Sequence, residues 1–206
     1  TSNGTQLSCH LLINAAAANV TLQDNLSVTT AKAVYVSRGI LNTGANRSIS
    51  CGTFGDNGNN QAKTLTLGTS AITCTGLAFT GTDPTVNHTG TLTINAVGTQ
   101  TFTFDCGAGT GWGDVTINTL PTAATTYTIA YVDGAAFTQF NISYNADRRD
   151  GAFTLPAGTM NIAESSTWRG GGVGNDDPTI RPIIRSSAIG TARTITYSAA
   201  SQTHTA

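Results

Sequence analysis

The sequence predicts an all-β protein, specifically a right-handed parallel β-helix, or β-solenoid, with coils of about 20–30 residues. Apolar residues alternate with Thr, Ser or Asn in many short runs, and helical periodicity is almost absent. Similar runs also return along the chain at steps of 23 to 30 residues. One unit of that length cannot bury its own apolar side, whereas stacked units share a continuous core.

Each short run has the features of a β-strand: period two, β-branched residues, and Gly, Asn or Asp at its ends. Threonine suits the polar positions because its branched Cβ fits the pleat while its hydroxyl faces water or a neighbouring Thr. The predicted strands contain Val20-Thr21-Leu22, Leu26-Ser27-Val28, Ala33-Val34-Tyr35-Val36, Leu65-Thr66-Leu67, Leu92-Thr93-Ile94, Thr101-Phe102-Thr103-Phe104, Val115-Thr116-Ile117, Tyr127-Thr128-Ile129 and Ile195-Thr196-Tyr197.

Three segments are expected along the chain. Residues 1–18 form a lead-in, in which the four alanines of residues 11–19 favour a short helix. Residues 19–150 form the solenoid. Residues 151–206 either continue it or form a β-rich cap.

Two series of runs define the repeat. The first comprises Leu65-Thr66-Leu67, Leu92-Thr93-Ile94 and Val115-Thr116-Ile117, at steps of 27 and 23 residues. The second comprises Ile72-Thr73-Cys74, Phe102-Thr103-Phe104 and Tyr127-Thr128-Ile129, at steps of 30 and 25 residues. Each series is expected to stack on successive coils.

The same repeat predicts where two of the cysteines and three insertions lie in the solenoid. Cys51 and Cys74 lie 23 residues apart in similar local sequences, so they are expected to stack on neighbouring coils. Residues 55–62, 80–89 and 107–113 are expected to be loops that leave one corner of the coil.

An antiparallel β-sandwich or jelly roll is the alternative fold, because it too has many short, regularly spaced strands. The best hairpin turn signals, Asp56-Asn57-Gly58 and Asp133-Gly134, are weak. The solenoid is therefore favoured over the sandwich.

Charge argues against several classes of function. Charged residues make up 10% of the chain and the formal net charge is -1, so the basic surface of a nucleic-acid-binding protein is not expected.

The longest apolar stretch, residues 11–18, is interrupted by Asn14 and is too short to span a membrane. No signal peptide is recognised, and Thr1 is interpreted as a processed end or the start of a fragment.

The four cysteines, Cys9, Cys51, Cys74 and Cys106, show no CxxC spacing. The three histidines complete no ligand pattern with them, so no metal site and no cofactor are predicted. The cysteines are interpreted mainly as buried, small apolar side chains, and a disulfide is the alternative.

The chain resembles the Thr/Gly/Asn-rich β-helix proteins of tailed bacteriophages. The resemblance rests on Gly39-Ile40-Leu41-Asn42-Thr43-Gly44, on Ile49-Ser50-Cys51-Gly52-Thr53-Phe54 and on residues 64–76, and it extends from about residue 19 to 197. It implies a virion structural or tail-associated protein and brings no catalytic residues with it. Bacterial surface adhesins share the low charge and the high threonine content.

Acidic residues give weak candidates for a catalytic or metal site. Asp105 and Asp133, 28 residues apart, could align on neighbouring coils as a pair of catalytic carboxylates, although aspartates of this kind more commonly form turns. Asp176 and Asp177 follow a glycine-rich segment, where a solvated turn is favoured over a calcium site. No catalytic residue is predicted, and the chain is not expected to be an enzyme.

Candidate glycan-binding residues are Trp168, Arg169 and Trp112, because an aromatic ring beside an arginine can stack on a sugar. The alternative, that both tryptophans are core or interface anchors, is favoured.

The sequence as a whole predicts a non-enzymatic virion structural protein: a tail fibre, a tailspike stem or a capsid decoration protein. Its expected partners are copies of itself, as a trimer, other virion proteins and a host surface glycan, without nucleic acid or membrane insertion. The alternatives are an extracellular or cell-surface carbohydrate-binding adhesin module and, third, a polysaccharide depolymerase.

Overall fold

The computed structural model describes residues 5–44, 46–81, 84–98, 100–120, 126–131, 136–144, 152–155, 159–170, 183–186 and 194–197. These residues form eighteen β-strands and no helix. In chain order the strands are β1 Leu11–Thr21, β2 Leu26–Ser27, β3 Ala33–Asn42, β4 Ile49–Ser50, β5 Thr53–Gly55, β6 Lys63–Gly68, β7 Ile72–Cys74, β8 Gly76–Ala78, β9 Pro84–His88, β10 Thr91–Val97, β11 Gln100–Phe104, β12 Trp112–Leu120, β13 Thr126–Tyr131, β14 Ala136–Tyr144, β15 Ala152–Leu155, β16 Thr159–Gly170, β17 Ile183–Ser186 and β18 Thr194–Tyr197.

The strands form two sheets, and every strand pairing within them is parallel. The ten-stranded sheet has the order β17-β15-β13-β11-β8-β5-β3-β6-β9, with β1 paired to β3. The eight-stranded sheet has the order β18-β16-β14-β12-β10-β7-β4-β2. Because the chain returns to each sheet in turn and adds a parallel strand, the fold is the predicted β-solenoid. The antiparallel sandwich is wrong.

The hydrogen bonds between neighbouring coils show how many residues one coil contains. At least seven hydrogen bonds that involve a side chain join residues 23 positions apart in the described part of the chain. For example, the Ser48 amide donates to Asn25 Oδ1 at 3.0 Å, and the Thr110 amide donates to Asn87 Oδ1 at 3.1 Å. Polar side chains at the corners therefore hold each coil on the next.

Where the structure describes the side chains of β6 to β12, alternate residues point into one continuous core between the sheets. In β6, Lys63, Leu65 and Leu67 are buried, while the residues between them are partly or fully exposed. Phenylalanines stack along the core, as in the edge-to-face contact of Phe54 with Phe79 at a centroid distance of 5.4 Å. The period-two pattern of the sequence thus corresponds directly to burial.

The helix expected within residues 11–19 is not formed, and this prediction is wrong. These residues belong to β1, which pairs with β3. Asn14 lies opposite Arg38 and Asn19 opposite Ile40, so the four alanines between them bulge out against the single residue Gly39. Pairing with the next coil overrides the intrinsic helix propensity of alanine.

The stacking of Cys51 on Cys74 is confirmed. Both thiols are buried, the Cys51 amide donates to Thr73 O at 3.0 Å, and the preceding residues Ser50 and Thr73 are paired. Both cysteines are free thiols.

Other predicted alignments need correction because some coils contain three strands rather than two. Leu65 is paired with Leu41 and Val86, not with Leu92. Leu92 is paired with Ile72 and Val115, so only the 23-residue step of the first series is confirmed.

The second series is also displaced. Gln100 is the residue opposite Tyr127, which places the predicted alignment of Phe102 with Tyr127 two residues out of register. Of the expected loops, residues 80–89 contain the strand Pro84–His88, which continues the ten-stranded sheet.

The described part of residues 151–206 consists of β15 to β18, which extend the two sheets with parallel pairings. No helix in the described part of the chain is long and apolar enough to cross a membrane.

Candidate functional site

Trp112 is part of the core and cannot reach a glycan at the surface. Its side chain is 1% exposed and packs against Phe79, His88 and Phe104 at centroid distances of 5.6, 6.0 and 6.3 Å. It begins β12 and is buried although it is out of phase with the alternation that buries Val115 and Ile117 further along the strand. The expectation that it binds glycan is therefore corrected in favour of the core-anchor alternative.

Trp168 and Arg169 lie on β16, opposite Ile142 and Ser143 of β14. Their side chains lie outside the described residues. Trp112 is paired with Phe137, five residues before Ile142 on β14, so the two tryptophans occupy different register positions. The register does not bring the three glycan-binding candidates together.

Asp105 forms a turn. It is buried, and its Oδ1 accepts a hydrogen bond of 3.0 Å from the Gly107 amide. Asp56 makes the same contact with the Gly58 amide at 3.0 Å, which indicates one type of Asx turn at both positions. Asp133, Asp176 and Asp177 lie outside the described residues. Within the described residues, no group of three His, Cys, Asp or Glu side chains could hold a metal ion.

Asp56 and Lys63 form the most constrained polar site of the described chain. Lys63 Nζ lies 3.2 Å from Asp56 Oδ2, and both side chains are completely buried. Lys63 Nζ also donates to Asn59 O at 2.8 Å. The ion pair therefore has a hydrogen-bonded environment in place of water, as a buried pair requires.

The Asp56 carboxylate also ties its own coil to the next one. Its Oδ1 accepts from the Thr80 amide at 3.1 Å and its Oδ2 from the Gly81 amide at 2.8 Å. On the other side, Ser37 Oγ donates to Asp56 O at 2.8 Å. Three successive coils thus meet at this residue, which stabilises the corner and gives it no free carboxylate for catalysis.

The sequence contains a signal for this pair, although the strand pattern alone does not reveal it. Lys63 stands at an inward position of the alternation Lys63-Thr64-Leu65-Thr66-Leu67. A lysine in register with core leucines needs a buried acceptor, and Asp56 is available in the preceding turn.

A second polar cluster includes a histidine next to Trp112. His88 Nε2 donates to Ser70 O at 2.9 Å, and the Gly113 amide donates to His88 Nδ1 at 3.4 Å. Burial lowers the pKa of His88, and the contacts with Ser70 O and Asp114 only partly oppose this effect. The ring is therefore a neutral structural element that joins three segments of the chain.

The outer surface of the eight-stranded sheet presents polar and mostly neutral side chains in columns, which we call the threonine face. Its central column is continuous in register from coil to coil and consists of Ser27, Ser50, Thr73, Thr93, Thr116 and Asn141. Two flanking columns contain Thr91, Asp114 and Gln139 on one side, and Asn95 and Asn118 on the other.

Ladder geometry makes this face regular. Adjacent strands of a sheet lie about 4.8 Å apart, so hydroxyl and amide groups repeat at that distance along the solenoid axis. Asn118 Nδ2 donates to Asn95 Oδ1 at 3.0 Å, which fixes the orientation of both amides. Asp114 is the one charged residue among those named, and the column of Asn95 and Asn118 continues through Ser143 to Arg169. The face can offer many weak hydrogen bonds to an uncharged, repeating partner.

Comparison with protein-family models, with curated proteins and with solved structures finds no match to this chain. Its function is therefore inferred from the geometry of the fold, the buried corner and the threonine face.

Proposed function

We propose that the chain is a non-enzymatic structural component of a bacteriophage virion: a stem of a tail fibre or tailspike, or a capsid decoration protein. The observation that carries this proposal is the in-register stacking of parallel strands in two sheets around one core. Such a stack forms a stiff element whose length is set by the number of coils. An attachment or assembly element needs that property more than it needs a cleft.

The chemistry of the described side chains supports a structural role. The carboxylates of Asp56 and Asp105 accept hydrogen bonds from backbone amides in turns, and His88 is held between Ser70 and Gly113. These groups, which could otherwise act as acids or bases, hold a local turn in the case of Asp105 and join coils in the cases of Asp56 and His88.

Contact with a host surface glycan is the second part of the proposal, and the threonine face favours it. Its neutral hydroxyl and amide groups match the chemistry of an uncharged polysaccharide better than that of an anionic one. They repeat about every 4.8 Å along the solenoid axis, which suits a ligand that is itself a repeating chain. A carbohydrate-binding adhesin module would use the same face.

The virion assignment is tested by immunogold labelling of purified phage particles whose genome encodes this chain. Labelling at the tail tip or along the fibres is expected for a stem, and labelling over the head is expected for a decoration protein. Unlabelled particles, together with labelled bacterial cells, would reject the virion role in favour of an adhesin.

The glycan contact is tested on a glycan array with the wild-type chain and a Thr93→Glu/Thr116→Glu variant. Paired negative charges on the threonine face should abolish binding to neutral glycans. The matched control is Thr66→Glu, an exposed threonine of the other sheet, which should bind like the wild type. Equal binding by all three proteins would remove the threonine face as the contact surface.

A further inference from the structure

A chemically labile dipeptide lies at the surface of the corner that contains Asp56. Asn-Gly occurs twice in the sequence, at Asn3-Gly4, which lies outside the described residues, and at Asn57-Gly58. Asn57 and Gly58 are both exposed, whereas Asp56, the residue before them, is completely buried. An asparagine followed by glycine is prone to deamidation, because glycine has no side chain to hinder attack by its own backbone nitrogen on the asparagine side chain.

Deamidation of Asn57 would proceed in two steps. The Gly58 backbone nitrogen loses its proton and attacks Asn57 Cγ, so that an N–Cγ bond forms, the Cγ–Nδ2 bond breaks and ammonia leaves. Water then opens the resulting succinimide at either carbonyl, which yields aspartate or isoaspartate at position 57. The first step needs a Gly58 amide that is free to lose its proton and to rotate toward Cγ.

The structure holds that amide in place. The Gly58 amide donates to Asp56 Oδ1 at 3.0 Å, and the Asn59 amide donates to Asp56 O at 3.3 Å. The φ angles of Asn57 and Gly58 are +57° and +68°, and two positive φ angles inside such a bond are typical of a type I′ turn. To reach Asn57 Cγ, the Gly58 nitrogen has to leave the carboxylate and the turn has to open.

The acceptor of the Gly58 amide is itself fixed. Asp56 Oδ1 also accepts from the Thr80 amide at 3.1 Å, and Asp56 Oδ2 accepts from the Gly81 amide at 2.8 Å. Asp56 Oδ2 lies 3.2 Å from Lys63 Nζ. A carboxylate that is bonded to the next coil and to a buried ammonium cannot follow the Gly58 amide when the turn moves. Reaction is therefore limited to the fraction of molecules in which the corner is open.

We propose that Asn57 is a site of spontaneous deamidation, which Asp56 protects for as long as the corner is closed. The modification is not reversed when the corner closes again. Aspartate adds a negative charge next to Asp56, and isoaspartate lengthens the main chain by one methylene between Asp56 and Gly58, which moves the Gly58 amide out of register with Asp56 Oδ1. Each opening that ends in reaction thus leaves a permanent chemical mark on this coil.

Peptide mapping by mass spectrometry tests the proposal on the full chain incubated at pH 8. The folded wild type should deamidate at Asn57 about tenfold or more slowly than the same chain in urea at the same pH. The tryptic peptide of residues 48–63 also contains Asn59 and Asn60, so fragmentation assigns the modified residue. Asn57→Gln should remove the fast reaction of this peptide in urea.

Two variants test whether the Asp56 carboxylate gives the protection. Asp56→Ala/Lys63→Met removes the carboxylate together with the buried ammonium, so no unpaired charge remains in the corner. When folded, it should deamidate at Asn57 about tenfold or more faster than the folded wild type. The matched control is Lys63→Met, which keeps the bond from the Gly58 amide to Asp56 and should react at close to the wild-type rate.

Hydrogen exchange of the wild type tests the same bond without a substitution. The Gly58 amide should exchange slowly although the residue is exposed, because its proton is held by Asp56 Oδ1. Circular dichroism confirms that each variant is folded.

The other outcomes would overturn the proposal. Folded wild type that deamidates at Asn57 as fast as the chain in urea, or a Gly58 amide that exchanges freely, would show that the corner gives no protection. Equal acceleration in Lys63→Met and in the double variant would assign the protection to the ion pair rather than to the Gly58 bond. A folded double variant that reacts no faster than the wild type would mean that the turn protects Asn57 without the Asp56 carboxylate.

Discussion

Asp56 and Lys63 form an ion pair of 3.2 Å in which neither side chain is accessible to solvent. The two members are not equivalent. Asp56 also accepts three backbone amide hydrogen bonds, from Gly58, Thr80 and Gly81. The Lys63 ammonium has the carboxylate and the carbonyl oxygen of Asn59 as partners. The Asp56 carboxylate is thus stabilised by three amides besides Lys63, whereas the Lys63 ammonium has Asp56 as its counter-charge.

This asymmetry predicts that Asp56→Asn destabilises the protein more than Lys63→Met. The asparagine variant leaves a buried ammonium without a counter-charge, which should cost about 3–5 kcal/mol. The methionine variant keeps the three amide hydrogen bonds to Asp56, and the loss should be about 1–3 kcal/mol. Urea denaturation of both variants provides the comparison, and an equal or reversed order would contradict it.

Gly39 is predicted to be intolerant of a side chain. Its φ is +97°, and a Cβ atom there would lie 2.6 Å from Ala15 O and 2.8 Å from Ala18 O in the β1 bulge. Gly39→Ala should therefore add about 1–3 kcal/mol of steric cost to the strain of a left-handed backbone, about 1–2 kcal/mol.

Gly98 is the matched control for this substitution. Its φ is +72°, but a Cβ atom added there would have no neighbouring atom within 4 Å. Gly98→Ala should show the backbone strain alone, about 1–2 kcal/mol. Thermal unfolding of the two variants separates the two contributions. Equal losses would show that the bulge yields to the new methyl group.

The fold class is predictable from the sequence because the alternation of apolar and polar residues translates directly into burial. The 23-residue step is also readable where similar residues occupy the same column, as Cys51 and Cys74 do. The register is less predictable. Leu65 and Leu92 have the same local pattern but belong to different sheets, and the pattern of a strand does not identify the sheet that it joins.

The polar sites are harder to predict than the core. The sequence around Asp56 indicates only a turn residue, because its two further amide donors come from Thr80 and Gly81 on the next coil. Trp112 is a surface candidate in the sequence because glycines flank it. The structure gives Gly113 another reason: a Cβ atom there would lie 2.2 Å from Gly90 O on the neighbouring coil. The role of Asp56 and the burial of Trp112 both depend on contacts with neighbouring coils, which the adjacent residues in the sequence do not reveal.

His88 predicts a loss of stability in mild acid. Burial lowers its pKa in the folded chain below the ordinary value of 6.5. As pH falls through about 6.5 the unfolded chain binds a proton that the folded chain does not, so the free energy of unfolding decreases. Below the folded pKa both states are protonated and this contribution stays lost.

Urea midpoints measured between pH 7.5 and 5 test this effect. The decrease should be smaller in His88→Gln than in the wild type, although the variant is less stable at neutral pH because it disturbs the contacts with Ser70 and Gly113. If the urea midpoint falls equally with pH in the wild type and in His88→Gln, His88 is excluded as the titrating group.

The cysteines predict a clear difference in reactivity between the surface and the core. Cys9 is exposed, whereas Cys51, Cys74 and Cys106 are buried. Burial raises the pKa of Cys51 to about 12 and that of Cys74 well above 9.0. Since the thiolate is the reactive form, iodoacetamide at pH 8 should modify Cys9 alone in the folded protein and all four cysteines in urea.

Intact mass spectrometry counts the modified thiols, and Cys9→Ser should remove the single native label.

The same pKa shifts predict how the stability of the protein changes at alkaline pH. Above pH 9 the thiols of the unfolded chain lose protons that the folded chain keeps at Cys51 up to about pH 12, so stability should fall over that range. Rapid labelling of a second cysteine in the folded state would mean that the coils around that buried thiol open without global unfolding, contrary to a rigid stack.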